Sequence, residues 1–260
     1  MSRPVALVTG SAHRIGAQIA RTLHAAGYDL ALHYRSSRSS MDALAAELES
    51  ARPHSTLVMQ ADLAEFDRLP EMVARTIGRF GRLDGLVNNA SGFTPTPIGQ
   101  ASPAQWDALF ASNARAPLFL AQAAAPHLAV QGGAIVNMLD VYAERPLAGH
   151  TIYCMAKAAL LMATRSLALE LGPEVRVNAV APGAILWPEE GSADAPRPGA
   201  SAAPASPIPT AAQAEKLART PLQRTGTVEE VAEAVRWLLR DASYCTGQVL
   251  YLDGGRMLAD

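Results

Sequence analysis

The sequence predicts an α/β domain in which helices cover both faces of a parallel sheet, three αβα layers in all. Three observations predict it. Seven short runs are continuously apolar, without the alternation that a one-sided sheet shows, so both faces of each strand are expected to be buried. Helical periodicity separates these runs almost from end to end, as parallel neighbours require. The chain is also long enough for one large core, with 260 residues of which 49% are hydrophobic and 18% charged.

The elements follow in order. Val5 to Thr9 reads as a buried strand, and Ile15 to Ala26 as a helix closed by Gly27. Asp29 to His33 is a second strand, Met41 to Ala51 a helix, and Thr56 to Met59 a third strand. A helix from about Glu65 to Phe80 leads to the strand Gly85 to Val87. Pro103 to Val130 reads as one long helix despite Pro117 and Pro126, and Ala134 to Met138 as the next strand. Thr151 to Leu171 is a helix, Val175 to Val180 a strand, Val228 to Arg240 a helix, and Val249 to Leu252 the last strand. Right-handed crossovers between such strands give a doubly wound sheet. Residues 188–209 break the rhythm: rich in Pro, Ala and Ser and without periodicity, they read as a mobile loop whose flanks cover a substrate. Trp187, just before it, either walls the pocket or anchors the loop.

Composition narrows the function. With 24 acidic and 22 basic side chains, the formal charge of −2 carries no footprint for nucleic acid or an anionic membrane. No apolar run of membrane-spanning character and no signal peptide is read, so the expectation is a cytoplasmic protein. Cys154 and Cys245 cannot frame a disulfide scaffold or a cysteine-rich zinc site, and no metal is expected. Of the 22 cationic residues only Lys157 and Lys216 are lysines, which leaves 20 arginines. A lysine kept against that bias marks a place where arginine would not serve.

The first strand runs into Thr9-Gly10-Ser11-Ala12-His13-Arg14-Ile15-Gly16 and then a helix. Glycines at a strand-to-helix turn let backbone N–H groups approach a pyrophosphate, and the helix N-terminus favours its charge. Gly10, Arg14, Ile15 and Gly16 are therefore expected at a dinucleotide. At the end of the second strand an NAD site wants a carboxylate, whereas His33-Tyr34-Arg35-Ser36-Ser37-Arg38 has none. Arg35 with the hydroxyls of Ser36 and Ser37 suits a ribose 2′-phosphate, so the expected cofactor is NADP(H), with Tyr34 beside it.

Tyr153 and Lys157, four apart on one helix, share a face. An ammonium one turn away favours the phenolate and can hold a ribose hydroxyl. Joined by Asn88-Asn89-Ala90 after the fourth strand, Asn113 on the next helix and Pro182-Gly183 after the sixth, this pair resembles the short-chain dehydrogenase/reductases along nearly the whole chain. The resemblance implies one Rossmann-type domain over residues 1–260, with strand order 3-2-1-4-5-6-7 and a homotetrameric assembly. It implies Tyr153 as proton donor, Lys157 as ribose ligand that lowers the tyrosine pKa, and Asn113 as support for a water relay. Asp62-Leu63 matches the adenine-contacting pair, and Asn89, Ala90, Pro182 and Gly183 fall to the cofactor.

Most of that family carries a serine 13 residues before the tyrosine, where this chain has Asp140. A carboxylate is a poor partner for a developing alkoxide but a sensible one for a ring nitrogen that gains a proton. Asp140, Arg14 in place of a glycine, Ser91-Gly92-Phe93, Leu32-His33-Tyr34-Arg35 and Gly149-His150-Thr151-Ile152-Tyr153 together resemble the pteridine reductases. That implies a pterin stacked on Phe93 and hydrogen-bonded by Ser91, with Arg14 reaching cofactor and substrate and with Asp140 and Tyr153 supplying the proton. The expected reaction is hydride transfer from NADPH to a dihydropterin or dihydrofolate. Two rivals stand beside it: a 3-oxoacyl-type carbonyl reductase, which Asp140 disfavours, and a non-catalytic NADP(H) sensor or scaffold, which the Tyr153, Lys157 and Asn113 set disfavours. Cys154 and His150 read as packing residues, His13 as a bystander, and Asp253 as a shaper of the last turn.

Overall fold

In the computed structural model, which describes residues 3–185 and 217–258, seven parallel strands form a single sheet in the order β3-β2-β1-β4-β5-β6-β7. The strands are β1 Val5–Val8, β2 Asp29–Tyr34, β3 Thr56–Gln60, β4 Gly85–Asn88, β5 Ala134–Met138, β6 Arg176–Pro182 and β7 Val249–Leu252. The helices are α1 Arg14–Ala25, α2 Arg38–Ala51, α3 Arg68–Phe80, α4 Pro103–Phe110, α5 Ala116–Gln131, α6 Thr151–Leu171 and α7 Val228–Arg240. The loop expected at 188–209 and Trp187 lie outside the described residues.

Alternate residues of each strand feed two cores. On one face Ala6, Val8, Leu30, Leu32 and Val136 meet Ile19 and Leu23 of α1, Met41 of α2 and Val235 of α7. On the other, Val5, Leu7, Ala31, Leu86 and Ile135 meet Leu69 and Met72 of α3 and Leu120 and Ala124 of α5. Full burial of each large side chain contributes roughly 1.5–3 kcal/mol, so neither face can turn to water. That two-sided burial is why the strands are continuously apolar.

Three expected helices are redrawn, and the one expected from Met41 begins at Arg38. The one expected from Glu65 begins at Arg68, because the Asp62 carboxylate accepts from the Ala64 amide at 2.9 Å and holds 62–67 in turns. The one expected unbroken over Pro103 to Val130 is interrupted by a π-helical turn, Ala111–Arg115. Pro117 has no N–H for the carbonyl of Asn113, and the Ala116 amide bonds five residues back to Ala111. Asn113 stands in the middle of that turn.

Thr151–Leu171 is long and apolar enough to cross a membrane by length and composition alone, contrary to the expectation from sequence. Its buried face, however, packs on the sheet and carries Lys157 and Thr164. A polar chain fixes its position: Asn88 donates to Asn137 at 2.8 Å, Asn137 to Thr164 at 2.9 Å, and Thr164 to the Leu160 carbonyl at 2.8 Å. β4, β5 and α6 are thereby locked together at the depth where the catalytic candidates stand.

Candidate active site

The carboxyl ends of β1, β4 and β5 form the floor of the site. Past β1, Gly10 adopts φ +63°, and Arg14 also lies in the left-handed region at φ +49°. A glycine would adopt that conformation freely, so Arg14 carries backbone strain there. Gly16 has no room for a side chain: a Cβ would stand 2.2 Å from the Gly10 carbonyl oxygen and 2.6 Å from Nδ2 of Asn89. Thr9 latches the turn to β4, its hydroxyl accepting from the Asn89 and Ala90 amides, each at 3.0 Å. Asn89 in turn donates to the carbonyls of Thr9 and Gly10 at 2.9 Å. Asn89 and Ala90 thus act as braces beneath the loop. The tight backbone cradle at the start of α1 fits a pyrophosphate.

Past β2, Arg35 and Ser36 are exposed and Ser37 is half-buried. Arg35 has no ion-pair partner among the described residues, whereas Arg38 is held by Asp42 at 2.9 Å. The Tyr34 ring, 3% exposed, packs in the core, while its side chain is hydrogen-bonded to Arg38 at that edge. Leu63 is likewise core, while Asp62 stays half-buried and turns its own loop. At the end of β6, the Gly183 amide donates to the Leu252 carbonyl at 2.9 Å, which pins Pro182-Gly183 to the end of β7. Asp253 accepts from the Gly255 amide at 2.9 Å, the backbone task expected of it.

The catalytic candidates converge between β5 and α6. The Tyr153 hydroxyl donates to Oδ2 of Asp140 at 2.7 Å, and the Tyr142 amide donates to Oδ1 at 3.0 Å. Lys157, 2% exposed, donates from Nζ to the Met138 carbonyl at 2.8 Å and lies 5.7 Å from the centre of the Tyr153 ring. Burial pushes the Asp140 pKa up, against the pull of the Tyr142 and Tyr153 hydrogen bonds and of Lys157. Burial also lowers Lys157 to about 8, with Asp140 opposing.

The tyrosine departs from expectation. Its pKa is raised well above the ordinary phenol value, first by burial and then by the facing carboxylate. The expected lowering by Lys157 is therefore not what this arrangement gives: Asp140 is hydrogen-bonded to the hydroxyl, and the ammonium is farther off. The pair keeps its phenolic proton.

Asn113, fully buried, is held by four groups, the Ser112 hydroxyl at 3.3 Å among them. Its Nδ2 donates to the carbonyls of Gly92 and Leu109 at 2.9 Å, and its Oδ1 accepts from the Ser91 hydroxyl at 2.7 Å. Ser91 is therefore tied to Asn113 and also reaches Tyr153. Phe93, 41% exposed, stands edge-on to the Tyr153 ring with centroids 4.8 Å apart. His150 stacks on Phe93 at 4.5 Å and 16°, so its packing role extends to the edge of the site. Three contributors were missed in the sequence: Thr9, whose only signal was its place before the glycine turn, and Asn137 and Thr164, polar residues inside otherwise apolar segments.

Comparison with known proteins agrees with this geometry. The family model described as enoyl-(acyl carrier protein) reductase matches residues 10–256. Pteridine reductase 1 of Leishmania tarentolae is 38% identical, the match covering 98% of this chain and 96% of that protein. A Streptomyces violaceoruber protein, named for a ketoacyl reductase role in the granaticin polyketide synthase, is also 38% identical over the same shares. The 3-oxoacyl-[acyl-carrier-protein] reductase of Staphylococcus aureus is 31% identical over 96% of both chains.

Proposed function

The chain belongs to the short-chain dehydrogenase/reductase family of oxidoreductases, and from that premise we propose that it is an NADPH-dependent pteridine reductase. Members of the family bind a nicotinamide cofactor. On this reading hydride goes to a C=N bond of a dihydropterin, with dihydrofolate or an oxidised pterin as further substrates, and the tetrahydro form results. The observation that carries it is the 2.7 Å hydrogen bond from Tyr153 to Asp140. A ketone reductase would place a developing alkoxide against that carboxylate, and like charges repel there. A ring nitrogen takes up a proton instead, and the pair holds one.

The cofactor would be held by the cradle of Gly10, Arg14, Ile15 and Gly16, by Arg35, Ser36 and Ser37 at a 2′-phosphate, and by Asp62, Asn89, Ala90, Pro182, Gly183 and Lys157 along its length. When bound, it supplies the hydride. Asp140, its carboxyl pKa raised by burial, passes its proton to the ring nitrogen, and the Tyr153 hydroxyl stays hydrogen-bonded to the carboxylate left behind. Lys157, anchored on the Met138 carbonyl, is the buried cation that would hold the cofactor ribose beside this pair. Asn113 fixes Ser91, and Phe93, partly exposed, would stack a flat heterocycle on the face that His150 does not cover. The similarity to a protein named pteridine reductase 1 supports the same reading. A cytoplasmic homotetramer belongs to it as well; exposed Leu118 on α5 and Met155, Met162 and Leu169 on α6 supply apolar surface for subunit pairing.

A second reading, a 3-oxoacyl-type reductase, is favoured by the relatives named for ketoacyl chemistry. NADPH oxidation by purified enzyme with dihydrobiopterin, dihydrofolate and a 3-oxoacyl thioester in parallel separates the two. The expected result is pterin turnover with an inert thioester, and a loss of about a hundredfold in pterin turnover for Asp140→Ser. Thioester turnover alone, or full pterin turnover by the serine variant, overturns the proposal. NADPH binding without turnover of any substrate would leave the sensor reading.

A further inference from the structure

We propose that His33 is a positioning residue for the cofactor, a neutral imidazole strut whose protonation releases the phosphate loop. The inference rests on the family's nicotinamide cofactor and is independent of the pterin reading. His33 is the penultimate residue of β2, flanked in the sheet by β1 and β3, and is 2% exposed. Its Nδ1 accepts the Gly10 amide at 3.1 Å, and its Nε2 lies 3.1 Å from the Ala61 carbonyl oxygen. Its own carbonyl accepts the Ser11 amide at 2.9 Å and the Ser11 hydroxyl at 3.2 Å. One residue thus holds the first two positions of the phosphate loop and ties them to the chain just past β3, where Asp62 follows.

The partners dictate the chemical form of the ring. The Gly10 amide can only donate, so Nδ1 must be an unprotonated acceptor; the Ala61 carbonyl can only accept, so Nε2 must carry the hydrogen. No other tautomer satisfies both contacts. A proton on Nδ1 would set two N–H groups against each other across 3.1 Å, in a place closed to water. The phosphate loop meets the ring with the Gly10 amide and the chain past β3 with the Ala61 carbonyl, and Met59 is its register partner on β3. Among the described residues Asp62 is the charged group whose field reaches the ring. Burial lowers the His33 pKa, and the Ala61 contact and Asp62 oppose that only in part.

The strut form therefore prevails at neutral pH. Below about 6.5, the ordinary imidazole value, the unfolded chain takes up a proton that the folded one resists. Stability from this group is complete above that pH and declines below it. Acid that does protonate Nδ1 frees Gly10 and Ser11 from their anchor, and the cradle loses its shape.

The test is NADPH affinity between pH 5 and 8, measured by fluorescence for the wild type, His33→Phe and His33→Asn, with turnover at saturating NADPH in parallel. Asparagine can present an acceptor to Gly10 but does not titrate. Phenylalanine keeps a ring of similar size but no acceptor. The expected result is affinity about tenfold weaker for the phenylalanine variant at pH 7.5, with saturated turnover nearly unchanged, and rescue by asparagine. The acid loss of affinity should be steeper in the wild type than in the asparagine variant. Equal affinities in all three proteins, or identical pH profiles for wild type and His33→Asn, would overturn the proposal. Nitrogen-detected NMR of imidazole-labelled wild type gives a check independent of folding of the variants. The His33 ring must show a protonated Nε2 and a bare Nδ1; the opposite tautomer would also overturn it.

Discussion

The cofactor edge at β1–β3 and the catalytic corner at β5–α6 occupy the same rim of one sheet but are held by different forces. At the edge, backbone amides and neutral groups do the positioning: Thr9, Asn89 and His33 brace a glycine turn whose shape depends on the absence of a Cβ. At the corner, titratable side chains are packed on one another: a carboxylate against a phenol, and a lysine nearly sealed from water. A region built from close backbone approach fails by steric change. One built from buried ionisable groups fails by a change of charge, because desolvation and the partner's charge set each protonation state.

The largest effect expected from that contrast falls on Lys157→Met. Pterin turnover should drop by about a thousandfold, with NADPH affinity affected far less. Its stability should also respond to pH in a defined way. The lysine pKa is about 8 in the folded chain, below its value of 10.5 when unperturbed. Between those values the unfolded chain holds more protons, so this group's contribution to stability rises with pH there. Urea melts of both proteins should therefore show the wild type gaining on Lys157→Met from about pH 8 upward. A stability difference independent of pH would mean that the ammonium is not desolvated.

Next in size is Gly16→Ala at the cofactor edge, which changes no charge. A methyl 2.2 Å from the Gly10 oxygen must displace the turn. A stability loss of about 1–3 kcal/mol and a matching fall in NADPH affinity are expected, with no shift in the pH profile of turnover. A shifted pH profile would show that the two regions are coupled, against the contrast drawn here. The smallest effect is expected of Arg35→Ala. Losing an exposed guanidinium should weaken NADPH about tenfold at low salt and leave NADH unaffected. Equal loss with both dinucleotides would remove Arg35 from the 2′-phosphate site.

Much of the corner was legible in the residues because its signals are local. Tyr153 and Lys157 share a face through helix geometry alone, and the Asp140 position is read against them by counting. The sense of the tyrosine shift was not legible. It depends on whether the lysine or the carboxylate lies closer to the hydroxyl, and chain spacing does not report that distance. The π-helical turn at Asn113 could have been suspected from Pro117, yet the periodicity runs on through it and masks the extra residue. Strand alternation turns the Tyr34 ring into the core, and that its side chain still meets Arg38 at the cofactor edge is a contact that chain order does not report.

By itself the sequence determined the doubly wound sheet, its strand order through the family resemblance, and the residues gathered at its carboxyl edge. Those follow from short-range physics: burial on both faces makes a strand apolar throughout, and a glycine turn before a helix marks an anion cradle. Only the tertiary structure decided which atoms meet. That His33 reaches Gly10 and Ala61, that Asn113 grips Ser91, and that Asp140 rather than Lys157 is bonded to the Tyr153 hydroxyl are contacts between segments far apart in the chain. Protonation states follow from such contacts, because a charge responds to its solvent exposure and to the groups that meet it after folding, wherever they lie in sequence.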